Sequence, residues 1–475
     1  MTAIDANDLD EESATGHVHG ICLKTGPPRR VGVELEWLVR DARDPALPLT
    51  AGRIAAAVSA FGAAREDPAV LEDPGQGGSH QGKRDVNGCG RLELPTNSRP
   101  GLLPSGALLT TEPGGQLELS SQPADSLAAL VRVTGADLVA LRAALADHGL
   151  ELTGIGLDPL RPPRRVLAQP RYAAMEAFFD RDGPWGRQMM CGTASVQVCL
   201  DAGDDSDGPA GFRQRWELLH VIGPVLVAAF ANSPLRDGKP TGWVSSRQQV
   251  WAHMDPGRTR PPQLDGDPRA DWAEYALDAQ VMCVRDPDSA DWSAPPGLTF
   301  RDWVRSGPAP ASQPSGGDGA ASGGRLRRPT PGDLEYHLST LFPPVRPRGH
   351  FELRMIDAQP GDGWVVPVAV CSAVLSDAQA GEAARAAVAP LWDGQPPGWL
   401  PPAAADGDGP WLRAARLGPA DPAIGQASGE CFTAAREALD RMGAPDEITA
   451  AVDAFTDQYV SKGRCPADDL LEDSS

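Results

Sequence analysis

The sequence predicts an α+β fold: an antiparallel sheet with helices on one face and an open, polar face turned to a ligand. Three observations carry this. Four segments alternate apolar with polar residues over five or more positions, the period-two signature of half-buried strands. Parallel strands buried on both faces would read instead as continuous apolar runs. No Gly-rich phosphate loop of the G-x-G-x-x-G or G-x-x-x-x-G-K-[ST] type follows any strand.

In chain order, the acidic segment 1–15 (MTAIDANDLDEES…) reads as a disordered tail and has no apolar core of the signal-peptide kind. VGVELEWLV (Val31–Val39) is the first strand. Residues 72–90, rich in glycine and polar residues, read as a surface insertion. GGQLELS (Gly114–Ser120) is the second strand. From Ser126, six apolar residues between Leu127 and Leu145 fall at helical spacing, and Gly149 stops the helix. TASVQVCLD (Thr193–Asp201) is the third strand, and a helix follows over Gly211–Ala231. Its apolar run Leu218–Ala231 is broken by Pro224 and falls short of the ~20 residues that span a bilayer. Residues 307–324 cannot form a packed core and read as a second insertion. HFELRMID (His350–Asp357) is the fourth strand. Beyond Pro367 the pattern is helical, with pieces near Val370–Trp392, Gly429–Met442 and Asp446–Lys462, and 466–475 reads as an acidic tail. The organisation expected is one domain over 16–465.

A net charge of -21 repels phosphodiester backbones and anionic lipid, which argues against nucleic-acid and membrane-surface partners. The eight cysteines are scattered without a C-x-x-C pair. They read as reduced thiols of a cytoplasmic protein rather than a disulfide or zinc framework.

The strands share a further feature. Side chains alternate across a strand. Glu34 and Glu36 therefore lie opposite Val33, Leu35 and Trp37. If Glu112–Ser120 is one extended segment, Glu112, Gln116 and Glu118 lie opposite Leu117 and Leu119. Gln197 shares a face with Ser195 and Cys199, and Glu352 shares one with Arg354. With the apolar faces on the helices, five glutamates collect on the other face. Like charges 4 Å apart cost ~4 kcal/mol at an effective dielectric of 20, so protons or cations must neutralise them. An all-oxygen donor set without His or Cys suits Mg²⁺ or Mn²⁺. Several hard cations on a sheet floor suggest a nucleoside triphosphate site. Taken singly, E-L-E on a strand also fits a solvated outer face, and a lone Arg354 fits a surface ion pair.

GVELEW, EPGGQLELS, MMCGTASVQVCLD, NSPL, SSRQQVWAHMDPGRT and FELRMID together resemble the glutamate–cysteine ligases of the plant and actinobacterial type, most of all the actinobacterial enzymes of ergothioneine biosynthesis. The resemblance runs from about Arg29 to Lys462. It implies a fold like that of glutamine synthetase and the guanidino kinases, a curved antiparallel sheet forming a funnel with helices outside. It implies that ATP, L-glutamate and L-cysteine give γ-glutamylcysteine, ADP and phosphate through a γ-glutamyl phosphate. Glu34, Glu36, Glu112, Glu118 and Glu352 would be magnesium ligands. Gln197 would face a metal or the nucleotide, and Arg354 would contact phosphate. Arg247 would contact the transferring phosphoryl group or glutamate, and Trp251 and Arg258 the amino-acid pocket. Two departures stand out: Cys199 where the family usually has Asn, and the glycine-bearing insertion before Leu92. A ligase with another amine acceptor and a non-catalytic nucleotide-binding protein are the alternatives.

Overall fold

The computed structural model describes residues 9–61, 101–264, 266–286, 288–306, 326–392 and 409–474. Its central strand is β1 (Val31–Asp41), the first of the four strands expected. Around it lie β2 (Gly101–Leu102), β3 (Leu108–Thr111), β4 (Leu117–Ser120), β5 (Leu150–Thr153) and β6 (Ser195–Leu200). A small separate hairpin, β7 (Leu235–Arg236) and β8 (Lys239–Pro240), precedes β9 (Val345–Pro347) and β10 (Phe351–Asp357). The main sheet runs β2-β3-β4-β1-β6-β10-β9, and β5 pairs with the far end of β1. Every pairing is antiparallel, as the alternating strands required.

The registers explain the two faces. Leu35 stands opposite Leu119 on β4 and Val196 on β6, and Phe351 opposite Leu200. These side chains join the main core with the helices behind the sheet. One of those helices, Val365–Ser376, is buried from Val365 through Leu375. A helix apolar on all sides has to lie between layers. Leu127–Ala146 is capped by Ser126, whose side chain accepts from the Ala129 amide, and it lays Leu130, Leu138, Leu141 and Leu145 into the same core.

Four expectations need correction. Glu112–Ser120 is not one extended segment: β3 and β4 form a hairpin, and EPGGQ makes its turn. Both glycines are required there. Gly115 has φ +92, and a Cβ on Gly114 would stand 2.3 Å from the Cys191 carbonyl oxygen. The helix over Gly211–Ala231 is two helices, Phe212–Val221 and Gly223–Ala229, divided at Ile222 just before Pro224, whose ring cannot continue an α-helix. The acidic ends carry helices. Asp10 forms a capping box with Ser13 at the head of Glu11–Cys22, and Pro466–Asp473 follows the buried Cys465. Acidic residues favour helix N-termini electrostatically, so here they mark helix starts rather than disorder. Finally, helices are not confined to one face. Pro170–Phe179, Trp185–Gly192 and Ser246–Ala252 stand on the polar side around a second apolar cluster containing Met175, Met190, Trp251 and Phe342. Residues 72–90 and 307–324 lie outside the described residues.

Candidate active site

The strand registers assemble the polar face in rows. In one row Thr110 stands opposite Glu118, and Glu118 opposite Glu36. In the next, Ser120 faces Glu34, which faces Gln197. A third row passes from Gly32 through Cys199 and Glu352 to Arg346. A β-bulge interrupts β10: between Leu353 opposite Val198 and Ile356 opposite Val196, both Arg354 and Met355 face the single residue Gln197. Arg354 keeps to the polar face of Glu352, and the extra residue lets the consecutive Met355 and Ile356 both lie in the core.

Above these rows lies a cavity of about 410 Å³, within the range of ligand sites. Its charge is divided. Glu34, Glu36, Glu112 and Glu118 line one part, from β1 and the β3–β4 hairpin. Arg171, Arg247, Arg346, Arg348 and Arg354 line the other, the two meeting where Arg348 Nη1 lies 3.8 Å from Glu34 Oε1, and Trp251 joins the wall.

The acidic part is frustrated. Glu36 accepts from Ser195 Oγ at 2.7 Å and from Gln197 Nε2 at 3.0 Å, while Glu118 accepts from Thr110 and Ser120 hydroxyls at 3.2 Å. Hydroxyls and an amide do not cancel the charge. Desolvation, then the negative charge of Glu36, pushes Glu112 up to about 7 against the opposing pull of Arg171. Desolvation, then Glu34, Glu112 and Glu36, raises Glu118 well above the carboxylate range. Desolvation, then Glu352, raises Glu34. Among the described residues no three His, Cys, Asp or Glu side chains stand as a ready-made metal shell. The donor chemistry nonetheless fits a hard cation: the carboxylates are half-buried, offer only oxygen donors and crowd one another.

This frustration has a thermodynamic consequence. Glu112 and Glu118 titrate higher in the folded chain than in the unfolded one. The folded state therefore holds their protons at low pH, and the stability they lend is lost as pH rises, through about 7 for Glu112. Burial pushes His220, His337 and His350 down to about 4, 3 and 4, so their opposite contribution grows until pH has passed the ordinary histidine value of 6.5. The histidine contribution is the same with and without the ion, so Mg²⁺ should raise the melting temperature more at pH 8 than at pH 6.5. Thermal melts with and without Mg²⁺ at the two pH values check this; an equal rise at both would contradict it.

The basic part is unsatisfied in the complementary sense. Arg247, only 1% exposed, donates Nη2 to the Arg354 carbonyl at 2.8 Å and lies 4.5 Å over the Trp251 ring. Its Nε and Nη1 make no hydrogen bond, and Asp357 Oδ1 lies 3.8 Å from Nη1. Asp357 is itself held by Ser233 Oγ at 2.7 Å, Ser245 Oγ at 3.0 Å and the Asn232 amide at 3.0 Å. Arg354 donates Nη1 to both Gln197 and Glu352, and its Nε has no partner. Buried guanidinium N–H groups without acceptors suit an anion.

Glu352 was expected as a metal ligand beside Arg354. It is fully buried, and its oxygens are taken by Arg346 at 2.8 Å, Arg348 at 3.2 Å and Arg354. Desolvation works to raise its pKa, but those guanidiniums outweigh it and hold the carboxyl below the usual range. Arg258 does not reach the cavity wall. Its Nε goes to Asp255 at 3.0 Å, its Nη1 to the Thr340 carbonyl at 2.7 Å, and its Nη2 to the Gln280 carbonyl. It ties loops together. Cys199 is half-buried opposite Gly32 and Glu352; desolvation, then Glu34 and Glu352, raises its thiol well above its ordinary value.

Arg346 and Arg348 escaped the sequence reading, although VRPR, separated from HFELR by Gly349 alone, carried the same period-two signal on the hairpin partner of β10. Arg171 left no such trace. It enters at the head of Pro170–Phe179 and is steered by Ser339, whose Oγ accepts from Nη1 at 3.1 Å.

An antiparallel sheet with helices behind it and a polar face lined by carboxylates and guanidiniums is a fold of the glutamine-synthetase type. Across 94% of this chain and 85% of the other, the structure matches a Francisella tularensis glutamate–cysteine ligase solved in complex with AMP, with a TM-score of 0.50 and 11% identity. That likeness is one of fold. Residues 30–474 match the model of glutamate–cysteine ligase family 2, and the chain belongs to that family. It is 36% identical to the glutamate–cysteine ligase EgtA of Mycolicibacterium smegmatis over 99% of this chain and 93% of the relative. It is 40% identical to the Mycobacterium tuberculosis EgtA over 78% of each chain. A chloroplastic glutamate–cysteine ligase of Medicago truncatula is 33% identical over 53% of this chain and 47% of its own. The resemblance read from the sequence motifs is thereby established as membership of an enzyme family.

Proposed function

We propose that the cavity joins the γ-carboxylate of L-glutamate to the amine of L-cysteine at the expense of ATP, as a step of ergothioneine biosynthesis in the cytoplasm. One observation carries the reading: buried Arg247 and half-buried Arg354, with unpartnered N–H groups, share one cavity with four under-neutralised carboxylates. A nucleoside triphosphate with hard cations complements both parts at once.

Glu34, Glu36, Glu112 and Glu118 would hold Mg²⁺ or Mn²⁺, and Glu352 could join them only by releasing a guanidinium. The ions, when bound, screen phosphate charge and favour phosphoryl transfer. The chain's own part is positioning and electrostatics. Arg354 and Arg247 present N–H donors to the phosphoryl group passing from ATP to the glutamate γ-carboxylate. Gln197 fixes Arg354 on one side and Glu36 on the other. Trp251 stacks against Arg247 and keeps it from swinging away. The acyl phosphate then carries a good leaving group, and attack by the cysteine amine releases phosphate.

Activity should vanish in excess chelator and return with Mg²⁺ while the far-ultraviolet dichroism stays unchanged, because the core does not depend on the ions. Full activity in chelator would remove the metal from the account. No enzyme thioester is involved, and the described thiols near the site are held protonated by burial, Cys191 up to about 12. Single Ser or Ala replacements of all eight cysteines should each leave ligase activity measurable. A folded but inert Cys variant would overturn this route.

A further inference from the structure

On the helix side of the sheet, away from the funnel, lies a second cavity of about 310 Å³. Its apolar wall includes Val31 and Leu200, register partners at the ends of β1 and β6, with Leu127 and Ala444. Its polar wall has an unusual composition. The first turn of the 20-residue helix Leu127–Ala146 opens onto it, bringing the positive end of a helix dipole. Arg29, Arg30 and Arg215 line it against one acid, Asp125.

Two buried groups there lack partners. Ser372 is 3% exposed and its Oγ makes no hydrogen bond. A helical serine ordinarily falls back on the carbonyl four residues earlier, as Ser428 does on Ile424 at 2.8 Å. Ser372 does not. Arg215, also 3% exposed, donates Nη1 to the Leu375 carbonyl at 2.6 Å and Nη2 to the Asp201 carbonyl at 3.0 Å, but its Nε has no acceptor. A buried donor left unsatisfied is destabilising, and a bound acceptor would relieve it. Water would satisfy the donors but waste the apolar wall.

We propose that this cavity is a second ligand site, separate from the funnel, for a small carboxylate with an apolar body. The carboxylate meets the Ser372 hydroxyl, Arg215 and the first turn of Leu127–Ala146, with Arg29 at the mouth; the apolar body lies against Val31, Leu127 and Leu200. Neither hydrophobic contact nor charge alone accounts for the wall.

Calorimetric titration of the full chain with sodium hexanoate at fixed ionic strength tests this, with hexan-1-ol and inorganic phosphate as parallel probes. Hexanoate should bind saturably at one site, and each of the other probes at least tenfold more weakly. Ser372→Ala combined with Arg29→Ala should weaken hexanoate at least tenfold and leave ligase activity unchanged. Both replacements are mild, one deleting an unpartnered hydroxyl and the other an exposed side chain, and an unchanged melting temperature verifies the fold. Arg354→Lys, in the funnel, should leave hexanoate binding unaltered. The proposal is overturned if hexanoate does not saturate, if hexan-1-ol or phosphate equals it, or if Arg354→Lys abolishes binding while the double variant retains it.

Discussion

Arg354→Lys is expected to lower kcat about a hundredfold, the scale seen when one preorganised donor to a developing charge is removed, with little change in KM for glutamate or cysteine. Arg354 stands on the polar face of β10 beside the bulge and is fixed by Gln197 and Glu352, so its planar fork is oriented before any ligand arrives. Lysine would keep the ion pair with Glu352 but offers a point charge on a flexible stem. If Arg354 only balanced Glu352, lysine would serve equally well, since Arg346 and Arg348 already share that carboxylate. A contact made mainly in the transition state appears in kcat rather than KM. Steady-state kinetics on the folded variant decide the point, and wild-type kcat would remove Arg354 from the site.

Glu118→Gln should lower turnover well over tenfold and leave the metal-free melting temperature unchanged or higher. Glu118 stands directly opposite Glu36, and its pKa is raised by desolvation first and then by Glu34, Glu112 and Glu36. Like charges facing each other across a strand pair destabilise it. The amide removes the charge, and its oxygen can still accept from Thr110 and Ser120. A residue that improves stability when changed yet abolishes function is one retained for function. Melting curves and kinetics on the same preparation check both halves of the expectation. A fall of many degrees would make Glu118 a structural residue instead.

The sheet and most of its polar face were legible because alternation is a local property. The pairs Glu34/Glu36 and Glu352/Arg354 needed only period two. Glu112 was assigned to the right cavity for the wrong reason: it reaches Glu118 through a hairpin turn, which Gly114 and Gly115 signal, rather than along one strand. Arg258 was misplaced because a motif gives residue type but not the direction of the side chain; Asp255 and two carbonyls take it away from the cavity. Arg171 depends on contacts with Ser339 and Tyr336, more than 160 positions away, and no window of the chain reveals them. The apolar wall of Met175, Met190 and Phe342 is likewise a product of distant helices meeting.

The central claim is that this cavity activates glutamate with ATP and delivers it to cysteine. Phosphate release, measured with ATP, Mg²⁺ and glutamate against a panel of amines, tests it most directly. The account predicts rapid release only when glutamate and cysteine are both present, with γ-glutamylcysteine formed in equal amount. Release that is as fast with another amine as with cysteine, or no release with any amine, would contradict it.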